Sequence, residues 1–276
     1  MLKQRILTAI ALLLVLIPAL LADNPVPFAL LTVVMVSAAG WEWARLNGLQ
    51  GGPAVGMGLL VAALCLLLNG MHLIGSTALI WLGAALWLIG GPLALRAGVP
   101  GWPGVPRGVR WLLGVLILVL AWLTITSARA HGLNYLFSVF CLVWVADSAA
   151  YFGGRAWGRR KLAPAISPGK SWAGVWTGLG AVLAMATTWI LIDRALGVTS
   201  TAPSLYTVLW QRHGLLALIA VIFLTAYSVI GDLFESLVKR SAGAKDSSQL
   251  LPGHGGVLDR IDALLPTFPL VAWMVS

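Results

Sequence analysis

The sequence predicts an all-α polytopic integral membrane protein of about nine transmembrane helices, with its N-terminus in the cytoplasm. Three observations carry that prediction. Hydrophobic residues make up 59% of the 276-residue chain and charged residues only 10%, against about a quarter charged in an ordinary soluble domain. Stretches without Asp, Glu, Lys or Arg recur at roughly 20 residues, the length that spans a hydrocarbon layer about 30 Å thick. Threading those stretches back and forth places most of the basic residues on one side.

Residues 6–22 form the first stretch, preceded by Lys3 and Arg5. It reads as a retained span, because it exceeds the ~7–15 apolar residues of a signal-peptide core and Leu21, Ala22, Asp23 is a poor cleavage site. Residues 24–41 form the second. Residues 46–95 cover about twice one span, and the polar break Asn69, Gly70, Met71, His72 divides them into two helices. The segment 98–108 (GVPGWPGVPRG) is so dense in helix and strand breakers that it reads as a cytoplasmic loop. Further charge-free spans follow at 111–128, 130–146, 171–192 and 213–231. The apolar end, 263–276, has only 14 residues, so a last helix must start inside the charged segment before it or end short.

With the N-terminus inside, the cytoplasmic segments carry 15 of the 18 basic residues, and only Arg129, Arg194 and Arg212 fall on the other side. The net charge of +9 is thus spread over membrane-flanking loops, which excludes a nucleic-acid partner and favours anionic headgroups and phosphorylated substrates. Trp41, Trp43, Trp102, Trp111, Trp172 and Trp210 lie near predicted span ends, where interfacial anchoring accounts for them. Cys65 and Cys141 lack metal-ligand spacing and read as lipid- or core-facing.

The chain reads as one transmembrane domain over 1–276, with an N-terminal helical half (1–130) and a catalytic half (131–276). Residues 1–140 contain only Asp23 and Glu42, whereas the rest contain seven acidic residues, so the chemistry is expected in the second half.

Two polar segments there carry it. The first, 147–174, opens on Asp147, about a turn and a half inside the predicted end of an apolar helix, and an intramembrane carboxylate is functional by default. Arg155, Arg159, Arg160, Lys161, Ser167 and Lys170 follow among glycines, a composition that suits phosphates, and Ser171 is placed to cap the next helix. A positive-inside anchor without a specific ligand explains that loop as well, since SPGKS lacks the first glycine of a P-loop and follows no predicted strand.

In the second segment, 232–262, Asp232, Glu235, Ser236 and Lys239 share one helix face. Arg240, Lys245, Asp246, His254, Gly255 and Gly256 follow, and then Asp259, Arg260 and Asp262. Oxygens from Asp232, Asp259 and Asp262 suit a hard divalent cation such as Mg²⁺ completed by substrate phosphates. Simple pairing with Lys239, Arg240 and Arg260 would balance the same charges but leaves His254 and the glycine pair unexplained. His254 alone fits phosphate contact, proton transfer or a backbone bond.

SLVKRSAGAKDSSQLLPGHGGVLDRID, residues 236–262, resembles the signature of the phosphatidate cytidylyltransferases, also called CDP-diacylglycerol synthases. It matches at Ser236, Lys239, Arg240, Lys245, Asp246, Pro252, His254, Gly255, Gly256, Asp259, Arg260 and Asp262. Residues 147–174 resemble that family's second conserved stretch, whereas the first half matches only as hydrophobic helices.

The resemblance implies Mg²⁺-dependent reaction of CTP with phosphatidic acid, giving CDP-diacylglycerol and pyrophosphate for phospholipid synthesis. The expected place is the cytoplasmic face of a bacterial inner membrane, among membrane lipids. It further implies that Asp232 and Asp259 bind the metal. Lys239, Arg240 and Arg260 are assigned to phosphates and Asp262 to orienting the metal site. Asp147, Arg155, Ser167, Lys170, Ser236, Lys245 and His254 complete the expected substrate contacts. A homodimer is one assembly left open. Two other activities fit fewer of these features: a CTP-dependent kinase of polyprenol-type lipids, which would transfer the γ-phosphoryl, and an ion-coupled transporter using Asp147 and Asp232.

Overall fold

A computed structural model describes residues 2–276, with the side chain of Thr8 and those from Ile10 onward. The side chains of Lys3 and Arg5, counted above for orientation, lie outside the described residues.

Helix α1 is Leu2–Leu21, α2 Val26–Leu46 and α3 Gly51–Gly70. A continuous helical stretch, Thr77–Gly104, follows. It comprises α4 (Thr77–Ala85), a π-helical turn (Leu86–Gly90), α5 (Gly91–Gly101) and a 3₁₀ turn (Trp102–Gly104). Next come α6 (Arg107–Ala130) and α7 (Leu133–Trp157), then the antiparallel hairpin β1 (Lys161–Ala163) and β2 (Ser167–Ser171). The chain ends with α8 (Trp172–Ala195), α9 (Leu205–His213), α10 (Leu216–Ser241), α11 (Leu258–Ile261) and α12 (Leu264–Val275).

Among the described residues seven helical stretches are long and apolar enough to cross a membrane: α2, α3, Thr77–Gly104, α6, α7, α8 and α10. The chain is therefore an all-α polytopic membrane protein. Helix α12, at 12 residues, rises only about 18 Å, less than the hydrocarbon thickness. The predicted break after Asn69 is present: α3 ends at Gly70, His72 adopts φ 57°, and α4 starts at Thr77.

Two expectations are corrected. Residues 98–108 are not a plain loop. Gly98, at φ 69°, kinks the chain once, after which helical turns resume to Gly104, because Pro100 falls in the first turn after the kink and Pro103 in that of the 3₁₀ turn, where a missing N–H costs nothing. Nor are Trp43 and Trp102 interfacial anchors. Both are buried, and with Trp87 they surround Phe234 of α10 at centroid distances of 5.4–5.9 Å. Their indole N–H groups bond inward, Trp43 to the Arg110 carbonyl (2.8 Å) and Trp102 to Asn47 Oδ1 (3.0 Å).

Helix α10 lies at the centre, touching α5, α7, α8, α9, α11 and α12. Its Gly231 lets α12 approach: a Cβ there would lie 2.5 Å from the Asp262 carbonyl oxygen. At the far end, Arg129 donates to the Ala22 carbonyl, Arg212 to that of Ser276, and Arg194 lies over the Trp210 ring.

Candidate active site

The last turns of α10, the hairpin β1–β2 and the segment 242–263 converge at one end of the bundle. On α10 the i, i+3, i+4, i+7 spacing does place Asp232, Glu235, Ser236 and Lys239 together. Lys239 Nζ lies 2.5 Å from Glu235 Oε2 and 2.5 Å from Asp259 Oδ1. Ser236 Oγ donates to Asp232 Oδ1 (3.3 Å), while Lys170 Nζ of β2 reaches Asp232 Oδ2 at 2.6 Å. The segment SPGKS is thus itself a strand, and it delivers a lysine to a carboxylate on another helix. Ser171 caps α8 as expected, accepting from the Gly174 N–H (3.2 Å).

Asp147 and Asp262 complete this notch. Asp147 has Lys170 and Asp232 within electrostatic range, and Asp262 has Asp232, Lys170 and Lys239. Helix α7 runs on to Trp157, further than the turn and a half expected beyond Asp147. At 1.5 Å per residue Asp147 and Asp232 each lie about 14–15 Å before their helix ends, so they meet at matching depth.

Two carboxyls outside the spans show how charge is balanced. For Asp259, burial opposes ionisation, but Lys239 and the N–H groups of Gly256 (2.8 Å) and Ser247 (2.9 Å) outweigh it and hold the carboxyl at about 2. For Asp262, burial and then the neighbouring Asp232 push the carboxyl up to about 8, against one N–H from Ala263 (2.8 Å). The notch is short of positive charge.

The glycine pair now has a geometric reason. Gly255 takes φ 82°, and a Cβ there would meet Asp259 Oδ2 at 2.8 Å. A Cβ on Gly256 would run into Ser247 Oγ and Glu42 Oε1. Beside this turn opens a cleft of about 850 Å³ lined by Lys245, Asp246, Gln249, His254 and Arg260. His254 is half-buried and its Nδ1 has no protein partner.

Other expected contacts are placed differently. Arg240 is tied to protein carbonyls, Ile166 (3.4 Å) and Ala244 (3.0 Å), and so links the hairpin to the motif loop. Ser167 is half-buried at the start of β2, and Arg155 is exposed on the last turn of α7. Sequence reasoning passed over Glu42, which is fully buried on α2 and bonds to the motif loop, and its partners Ser247 and Ser248. The available signal was a carboxylate inside an apolar helix, the same that singled out Asp147.

A sequence model described as the Cytidylyltransferase family matches residues 3–276. A phosphatidate cytidylyltransferase of Pseudomonas aeruginosa is 40% identical over 285 aligned residues, covering 99% of this chain and 97% of that one. One of Haemophilus influenzae is 37% identical, covering 99% and 98%. Since the match runs almost end to end and includes the helices α7 and α10 and the strand β2 that bring Asp147, Asp232 and Lys170 together, the chain belongs to the cytidylyltransferase family.

Proposed function

We propose that the protein transfers the cytidylyl group of CTP to phosphatidic acid, giving CDP-diacylglycerol and pyrophosphate, at the cytoplasmic face of a bacterial inner membrane. The observation that carries this reading is a lysine and carboxylate notch, Asp147, Lys170, Asp232, Lys239 and Asp262, within the ends of apolar helices. A diacyl tail can lie along those helices while its phosphate reaches the notch. The names of the relatives and the motif 236–262 support the same substrates.

In the reaction a phosphate oxygen of phosphatidate attacks the α-phosphorus of CTP. A new P–O bond forms, the bond to the bridging oxygen breaks, and pyrophosphate leaves with that electron pair. Phosphatidate is already anionic near neutral pH, so positioning and charge neutralisation carry the rate. Lys245, His254 and Arg260 line the polar cleft and bind the triphosphate from one side, while Lys170 and Lys239 meet phosphate oxygens from the notch. Arg240 holds the hairpin that presents Lys170.

The chemistry of the carboxylates suits Mg²⁺: Asp232 and Asp259 offer hard oxygen donors with Asp262 beside Asp232. Among the described residues no three acidic or histidine side chains gather as a ready cluster, so substrate phosphates and water would complete the shell. Asp259 has both oxygens engaged, so it joins Asp232 only by releasing a partner such as Lys239. When bound, the cation neutralises charge on the transferring group.

The test is purified protein with labelled CTP and phosphatidate, with and without divalent ions. Lipid-linked CMP and free pyrophosphate are expected. CDP release with a phosphorylated lipid would mark γ-phosphoryl transfer instead, and no lipid product under any divalent ion would refute the reading.

A further inference from the structure

Glu42 is 0% exposed and sits on α2, far in sequence from the motif. Among the described residues no Lys, Arg or His lies in ion-pair range of it. A buried carboxylate without a counter-ion is tolerated only where several donors converge on it. Four do. Oε1 accepts from Ser248 Oγ (2.6 Å) and the Val257 N–H (2.9 Å), and Oε2 from the Leu258 N–H (2.7 Å) and Ser247 Oγ (3.2 Å).

All four donors belong to the motif segment, and they bracket its glycine turn. Val257 and Leu258 open the single turn that carries Asp259. Ser247 N–H donates to Asp259 Oδ2 (2.9 Å), and its Oγ lies 2.9 Å from that oxygen and 3.2 Å from Glu42 Oε2, so its single hydroxyl proton is shared between the two carboxylates. The chain of contacts runs from Glu42 through Ser247, Asp259 and Lys239 to Glu235. The second motif glycine, Gly256, is excluded from carrying a side chain partly by the Glu42 carboxylate itself.

We propose that Glu42 is a positioning residue for the transfer reaction: it fixes residues 247–258 from outside the motif and thereby sets where Asp259 and the His254, Gly255, Gly256 turn stand. Its kinetic part rests on the cytidylyl-transfer reading, but its structural part does not. Glu42→Gln keeps size but turns an NH₂ group toward the Leu258 N–H, so two donors face each other.

The experiment uses the full chain in detergent. In E42Q, amide exchange should rise at 247–258 and stay parental in α7 and α8. Displacement of a positioned group by about 1 Å can cost roughly 100-fold in rate, so kcat should fall about 10- to 100-fold with KM for CTP changed less than about threefold. Glu42→Asp, which keeps both oxygens, should recover part of the loss. Ser248→Ala removes one donor and should show the same exchange pattern more weakly, which serves if E42Q does not fold. Parental kcat in E42Q, unchanged exchange at 247–258 in S248A, or exchange raised throughout the bundle would each overturn the proposal. Absence of lipid-linked CMP from the parental protein sinks the assigned reaction instead, and exchange still decides the role of Glu42.

Discussion

Single side chains decide most of what this end of the bundle can do. Asp232→Asn and Asp259→Asn each remove an acceptor for a lysine and for a cation, and should lower turnover by at least about 100-fold while the protein still inserts in membranes. Near-parental activity in either would sink the metal assignment. The two motif carboxyls outside the spans also predict opposite pH effects on stability. Asp259, at about 2 when folded against 3.8 ordinarily, contributes about 2 kcal/mol that is full above pH ~4 and lost as pH falls toward 2. Asp262, at about 8 when folded, binds its proton more tightly folded than unfolded, so its contribution declines as pH rises from about 4 to 8. In chelator-treated protein, Asp262→Asn should flatten the decline in melting temperature between about pH 5 and 8. An unchanged slope would assign that decline elsewhere. The pairing of Asp232, Ser236 and Lys239 on one face was legible from spacing, because a helix leaves no freedom in it. The partners Lys170 and Glu42 were not, since both contacts join segments remote in sequence and depend on how helices pack.

At the scale of elements, helices α7 and α8 meet through Gly174 and Gly178, four residues apart on one face of α8. A Cβ on either would lie 2.7 or 2.8 Å from the Ala150 or Ala146 carbonyl oxygen, which is close backbone packing of the kind small residues permit in membranes. Gly178→Val should push α8 off α7 and, because β2 runs directly into α8, carry Lys170 away from Asp232. The expected result is lower thermal stability together with a raised KM. Stability and KM both at parental values would show that the hairpin is held by other contacts. The helices themselves were readable from charge-free length. The hairpin and α9 were not, being short and fixed by Ser171 and Ser204 caps and tertiary contacts rather than by periodicity. Residues 98–104 misled because breaker density describes a kink at one glycine as well as a loop.

Over the whole molecule, the basic residues divide between two ends of very different character. Arg129, Arg194 and Arg212 are satisfied by carbonyls or an indole, whereas Lys245 and Arg260 line an open cleft at the site end. Cysteine placed at Lys245 should react with an impermeant maleimide only from the cytoplasmic side of intact vesicles, and cysteine at Arg212 only from the other. The reverse pattern would invert the orientation. The sequence can bear on sidedness because loop charge is a property of sequence alone, and the labelling pattern is what decides it. The ring of indoles around Phe234 has a mechanical consequence. Phe234 lies two residues from Asp232, and three large rings block it from turning, so α10 cannot roll about its own axis without opening the centre of the bundle. The azimuth of its acidic and basic groups is therefore set once, when the chain folds. Whatever yielding accompanies substrate arrival and product departure falls to the loop and the hairpin.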